Sequence, residues 1–127
     1  MDTQFIWYGA AAILVFLFVR RTLRMRSLRQ YTPPEVETRM KSNDGVLLLD
    51  VRTDAERQSG SIRGSLHIPI ASLRTRMKEL EQYKNREIVC YCASGSRSAS
   101  AALLLKKNGF SAGNLRGGMA DWNFAHR

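Results

Sequence analysis

The sequence predicts an α/β fold: a three-layer sandwich with a mainly parallel central sheet flanked by helices, preceded by one transmembrane helix. Three observations predict it. Residues 46–51, Val-Leu-Leu-Leu-Asp-Val, form a continuous apolar run of strand length, as a parallel strand covered on both faces requires. From residue 32 onward short β-type runs alternate with helical patterns, which is how a sheet layered between helices reads in sequence. Residues 5–19 carry no charge. As a helix that run spans about 22 Å, and Thr3, Gln4 and a snorkelling Arg20 extend it toward the thickness of a bilayer core.

Residues 1–20 therefore read as a membrane anchor, with bilayer contact over residues 3–20. A cleaved signal peptide is the rival. Against it, no Lys or Arg precedes the apolar run and no small-x-small cleavage site follows it; the basic residues come afterwards, at Arg20, Arg21, Arg24, Arg26 and Arg29. A buried core helix would show an amphipathic pattern, which the run lacks. Basic residues beside a spanning helix favour the cytoplasmic side, so a single-pass inner-membrane protein with its C-terminal domain in the cytoplasm is expected. Trp7 and Tyr8 then fall at the outer interface. Residues 21–31 read as a basic juxtamembrane stalk able to rest on anionic headgroups.

The remaining chain, 32–127, is expected to form one domain. Thr32, Pro33, Pro34 and Glu35 make a capping-box start for a helix through about Lys41, broken by the turn at residues 42–45. After the apolar strand, Thr53 and Glu56 make a second capping box, and Gly60 stops that short helix. Residues 65–68 read as a brief strand closed by Pro69. Ile70, Leu73, Met77 and Leu80 recur at helical spacing, and Met77 is expected in the core. Residues 87–91 read as a strand and 98–108 as an Ala- and Leu-rich helix ended by Gly109. Residues 110–115 offer a last strand, and Trp122 lies in a closing helical turn.

The net charge of +9 is divided. Residues 1–30 hold five arginines against Asp2, and the rest holds fifteen Lys and Arg against ten Asp and Glu. With no basic block or interleaved aromatics in the domain, nucleic acid is not an expected partner. Cys90 and Cys92 make no disulfide framework, and a Cys-x-Cys pair without His is too poor for zinc, so no metal and no cofactor is expected. Reduced thiols suit a cytosolic domain.

Cys92 stands where a strand feeds a loop into a helix N-terminus. Unpartnered backbone N–H groups and aligned peptide dipoles there stabilise a thiolate and make it nucleophilic near neutral pH. Ala93, Ser94, Gly95 and Ser96 are small enough for the backbone to curl with its N–H groups inward, and Gly95 can take a positive φ. Arg97 could bond loop carbonyls or hold an anionic substrate. The same pattern also suits a buried structural cysteine beside a Ser-rich helix cap. In the domain's other polar stretch, Asp50 and Arg52 are expected to pair structurally, because an aspartate beside a thiolate would oppose its ionisation. His67 is expected to pack beside Pro69 outside the catalytic set.

Three separated signatures resemble the rhodanese-like, or sulfurtransferase, family. They are Leu49-Asp50-Val51-Arg52 followed by Glu56, Gly60, Ile62, Gly64, Ile68 and Pro69; the loop from Cys92 to Arg97 with Ser98; and Gly117-Gly118-Met119 with Asp121-Trp122. The resemblance covers nearly all of the chain after residue 31. It implies a catalytic Cys92, an active-site and substrate-binding loop of Ala93, Ser94, Gly95, Ser96 and Arg97, and an arginine that closes the loop. The implied reaction passes a sulfane sulfur from thiosulfate or a persulfide, through a Cys92 persulfide, to a thiol or other nucleophilic acceptor. Cys92 and Arg97 enclose four residues, shorter than the cradle of the related phosphatases, and Tyr91 stands where those enzymes usually carry His. Two departures are Ala93, where a basic residue often follows the cysteine, and Ser61 in a common Gly-His-Ile triplet. The first implies weak thiosulfate binding and a protein or low-molecular-weight persulfide as donor. Because sulfur transfer alone needs no membrane, a competing expectation is an interaction module that serves a membrane-protein partner with little or no catalysis.

Overall fold

The chain opens with α1 (Thr3–Arg26), a helix of 24 residues with no buried residue along it. It is long and apolar enough to cross a bilayer. The computed structural model describes residues 2–42 and 45–127, so Asn43 and Asp44 of the expected helix-breaking turn lie outside the described residues.

Two capping boxes start the next helices as the sequence expects. The Thr32 hydroxyl accepts from the Glu35 N–H ahead of α2 (Pro33–Lys41), and the Thr53 hydroxyl accepts from the Glu56 N–H ahead of α3 (Asp54–Gln58). The strands are β1 (Arg29–Tyr31), β2 (Val46–Asp50), β3 (Leu66–His67), β4 (Glu87–Tyr91) and β5 (Ala112–Leu115). They form one parallel sheet in the order β1-β5-β4-β2-β3.

Strand alternation sends successive side chains to opposite faces, and two apolar clusters result. Leu47, Leu49, Ile88, Cys90 and Cys92 face α5 (Ser96–Lys107), packing with Ala102 and Leu105. Val46, Leu48, Val89 and Tyr91 face the other way, with Val36 of α2 and Met119 and Trp122 of α6 (Gly118–Ala125). This is the expected sandwich, with β2 and β4 at its centre.

Two expectations change in detail. The basic stalk is not a separate segment: α1 continues to Arg26, Leu28 is buried, and Arg29–Tyr31 is the edge strand β1. It docks because Gly113 on β5 lacks a side chain; a Cβ there would come within 2.6 Å of the Tyr31 ring. The helical spacing over 70–83 resolves into a 3₁₀ turn (Ile70–Ser72), the four-residue α4 (Leu73–Arg76) and a longer 3₁₀ segment (Met77–Tyr83). Its anchors Leu73 and Leu80 are still wholly buried, since one α turn to Met77 and one 3₁₀ turn to Leu80 bring both to the same side.

Candidate active site

Cys92 is the residue after β4 and its parallel neighbours deliver it to the carboxyl edge of the sheet, where α/β folds bind ligands. Its sulfur turns toward the loop. Sγ accepts from the Gly95 N–H at 3.1 Å, from the Ser98 N–H at 3.4 Å and from the Ser98 hydroxyl at 3.3 Å. Gly95 has φ +106°, a left-handed conformation that lets its N–H point back over the sulfur. The side chain is wholly buried, with Cys90 in the same apolar cluster, so the sulfur is closed off from solvent.

Burial pushes the Cys92 thiol pKa up, but the Ser98 hydroxyl, together with N–H groups of Ser98, Gly95 and Ser94, outweighs it and holds the thiol below its ordinary value. The amide ring is thus narrower than expected. Gly95, Ser98 and Ser94 supply it, while Ala93 and Ser96 form part of the exposed rim. Cys90, by contrast, is pushed up by burial and then by the neighbouring Cys92.

What aims the Ser94 N–H is α6. The Met119 N–H donates to the Cys92 carbonyl at 2.8 Å and the Ala120 N–H to the Ala93 carbonyl at 3.1 Å. A trans peptide puts its carbonyl and its N–H on opposite sides, so holding the Ala93 carbonyl on α6 directs the Ser94 N–H toward the sulfur. Gly118, at φ +59°, allows this approach: a Cβ would run into the Cys92 carbonyl oxygen and lie 2.9 Å from the Ala93 backbone. Gly118→Ala is expected to push α6 off the loop, costing about 1–3 kcal/mol of stability. The rate of reaction at Cys92 should fall about a hundredfold from the displaced donors, read by steady-state kinetics alongside thermal unfolding.

Behind the sulfur runs a buried polar relay. The Ser98 hydroxyl donates to Asn114 Oδ1 at 2.5 Å, and Asn114 Nδ2 donates to the Gly95 carbonyl at 3.2 Å and to Gln30 Oε1 at 3.0 Å. One hydroxyl proton cannot serve Asn114 and Sγ at once, so it swings to the sulfur when that sulfur is charged. Ser98→Ala is therefore expected to raise the Cys92 pKa, because a hydrogen bond to a charged group is lost. The pH dependence of Cys92 alkylation measures it, and a midpoint equal to that of wild type would show the hydroxyl idle.

Arg97 does not bond the loop carbonyls. Its two terminal nitrogens bind both Glu56 oxygens, at 2.7 and 2.8 Å, and so tie α5 to α3. The Arg97 hydrogen bonds, first among the causes, hold the Glu56 carboxyl at about 2, while Glu56, and after it the nearby Cys92 sulfur, raises Arg97. The sequence shows Glu56 as a helix cap, the role it fills at Thr53, and as part of a signature, but not as the partner of Arg97. Ser98 was visible as part of a signature, Asn114 only as a polar residue in a strand, and Gln30 not at all.

Asp50 is buried and accepts from the Arg52 side chain at 3.0 and 2.8 Å, the Arg52 N–H at 3.0 Å, Arg57 at 3.3 Å and the Tyr91 hydroxyl at 3.1 Å. This is the structural pairing expected. His67 Nε2 donates to the Arg52 carbonyl at 2.8 Å, and the His67 ring also lies near Asp54. Among the described residues no cluster of His, Cys, Asp and Glu is arranged to hold a metal.

A family model described as "Rhodanese-like domain" matches residues 32–125. A sulfurtransferase of Allochromatium vinosum is 40% identical over 85 residues, 66% of this chain and 78% of that protein. The uncharacterized Bacillus subtilis protein YqhL is 29% identical over 123 residues, 96% of this chain and 94% of that one, so that alignment reaches into α1. Among solved structures, the thiosulfate sulfurtransferase from Pseudomonas aeruginosa superposes with a TM-score of 0.71 at 27% identity, over 80% of this chain and 20% of that one.

Proposed function

The chain belongs to the rhodanese-like family, and on that premise we propose that it moves sulfane sulfur through a persulfide on Cys92. The observation that carries the proposal is the set of donors converging on Sγ, a lowered thiol with hydrogen bonds ready for negative charge. The thiolate attacks the outer sulfur of the donor. A Cys92 S–S bond forms, the donor's S–S bond breaks, and the donor residue, sulfite or a thiolate, leaves with the electron pair. An acceptor thiolate then attacks the terminal sulfur, takes it and releases the Cys92 thiolate. The same donors stabilise the anion at each stage, and no external oxidant or reductant is consumed.

Since Sγ is closed off in the resting loop, the donor enters over the exposed rim of Ala93, Ser94 and Ser96. That rim is neutral and Arg97 is committed to Glu56, which supports a persulfide donor over thiosulfate. The apolar, unburied α1 supports tethering to the inner membrane with the domain on the cytoplasmic side. The test is mass spectrometry after incubation with a persulfide donor or thiosulfate: a gain of about 32 Da on Cys92, removed by an acceptor thiol. The complete burial of Cys92 favours a second reading, a tethered module for a membrane-protein partner. Absence of that gain with either donor rejects the enzyme and leaves the module.

A further inference from the structure

We propose that the groove between α1 and α5 binds one anionic phospholipid, the phosphate among basic side chains and the upper acyl chain along an apolar floor. The inference rests on the tethering of α1 and is independent of the chemistry at Cys92. Two adjoining cavities of about 450 and 400 Å³ lie there, both lined by Arg24, Leu103 and Lys107. Arg20 and Arg21 line one and Lys106 the other, so five cations surround the groove. Leu17, Leu103 and Leu104 supply its floor, and no Asp or Glu lines either cavity among the described residues.

Charge complementarity identifies the occupant. Among the described residues none of the five cations is ion-paired, whereas Arg52, Arg57, Arg76 and Arg97 each hold a carboxylate. Five like charges around one groove repel one another unless an anion sits between them. Position selects a lipid over a free anion. From Leu17 to Arg24 the helix rises about 10 Å, so one end of the groove lies beside the charge-free run that would sit in hydrocarbon and the other among headgroups. A phospholipid is apolar and anionic in that order along that axis. The two lysines close the last turn of α5, beside α1. Because the Cys92 loop meets the opposite end of α5, a seated lipid would hold the reactive sulfur one helix length, about 18 Å, from the headgroups.

The experiment uses the full chain in nanodiscs of phosphatidylcholine with phosphatidylglycerol, released for native mass spectrometry. Wild type is expected to retain one phosphatidylglycerol, and Lys106→Gln/Lys107→Gln to retain about tenfold less, as two basic contacts are lost. Equal retention of phosphatidylcholine, or unchanged phosphatidylglycerol on the double variant, would overturn the site. Displacement of the lipid by millimolar inorganic phosphate would reduce it to an anion patch, and displacement by a poly-glutamate peptide would assign it to an acidic protein segment; either overturns the proposal. A chain that does not enter the bilayer overturns both tether and site. Two crossed controls separate this proposal from the sulfur chemistry: Cys92→Ser should still retain the lipid, and the lysine double variant should still take up sulfur.

Discussion

Replacing Cys92 by serine is expected to abolish sulfur uptake and to lower turnover by on the order of a thousandfold or more. Three hydrogen bonds reach Sγ, from Gly95 and Ser98, and their value lies in the charged form. A serine hydroxyl stays protonated at neutral pH, cannot form an S–S bond, and presents those donors with a neutral oxygen. The substitution removes chemistry without removing the loop, because α6 holds the carbonyls of residues 92 and 93 through the backbone. Circular dichroism and thermal unfolding should therefore stay close to wild type while the mass gain disappears. Cys90→Ala supplies the contrast. Burial pushes that thiol up, so it is protonated and inert, and its variant should load sulfur normally. The sign of the pH dependence follows from the lowered Cys92 pKa: loading persists below the ordinary thiol range and fails as pH falls through the lowered value. Loading that survives in Cys92→Ser and vanishes in Cys90→Ala would reassign the nucleophile.

How much of this was legible in the sequence depends on how local each signal is. The capping boxes at Thr32 and Thr53 involve residues three apart, and the apolar run of β2 needs both faces covered whatever its neighbours; both read directly from the chain. The loop at Cys92 reads almost as well, since a strand, small residues and a helix start follow one another. β1 did not. It is three residues long, two of them exposed, and exists because Gly113 leaves room for Tyr31 more than eighty positions away. The relay through Ser98, Asn114 and Gln30 and the clamp of Glu56 on Arg97 share that obstacle: each joins residues distant in sequence, and each uses a side chain with an ordinary local role. The closure of the sulfur from solvent is a property of packing around the loop, and spacing carries no trace of it.

The largest loss of stability is expected from Asp50→Ala. Asp50 and Arg52 are buried, and the carboxylate also receives the Arg57 side chain and the Tyr91 hydroxyl, which in turn accepts from the Ile62 N–H. Removing it strands a buried guanidinium whose remaining partner is the Gly60 carbonyl. Breaking such a pair from one side costs about 3–5 kcal/mol, which for a domain of this size lowers the melting temperature by on the order of 15–25 °C. Asp50→Asn keeps the shape and part of the hydrogen bonding and should lose less. Removing both partners, as in Asp50→Ala/Arg52→Met, should recover part of the loss, because no charge is then left buried alone. The pH dependence has a definite sign. Burial raises the Asp50 pKa, but the Arg52 side-chain and backbone hydrogen bonds and its charge prevail, so the folded value lies below the unfolded one. The pair's contribution is therefore complete above the ordinary carboxylate value and is lost as pH falls below it through the folded pKa. Asp50 bonds the chain at the end of β2, beside Tyr91 and not at the sulfur, so sulfur loading per folded molecule should be unchanged well below the melting temperature. A variant that melts like wild type would show that this carboxylate does not hold the fold, and one that stays folded yet loses loading would show that it acts on the chemistry.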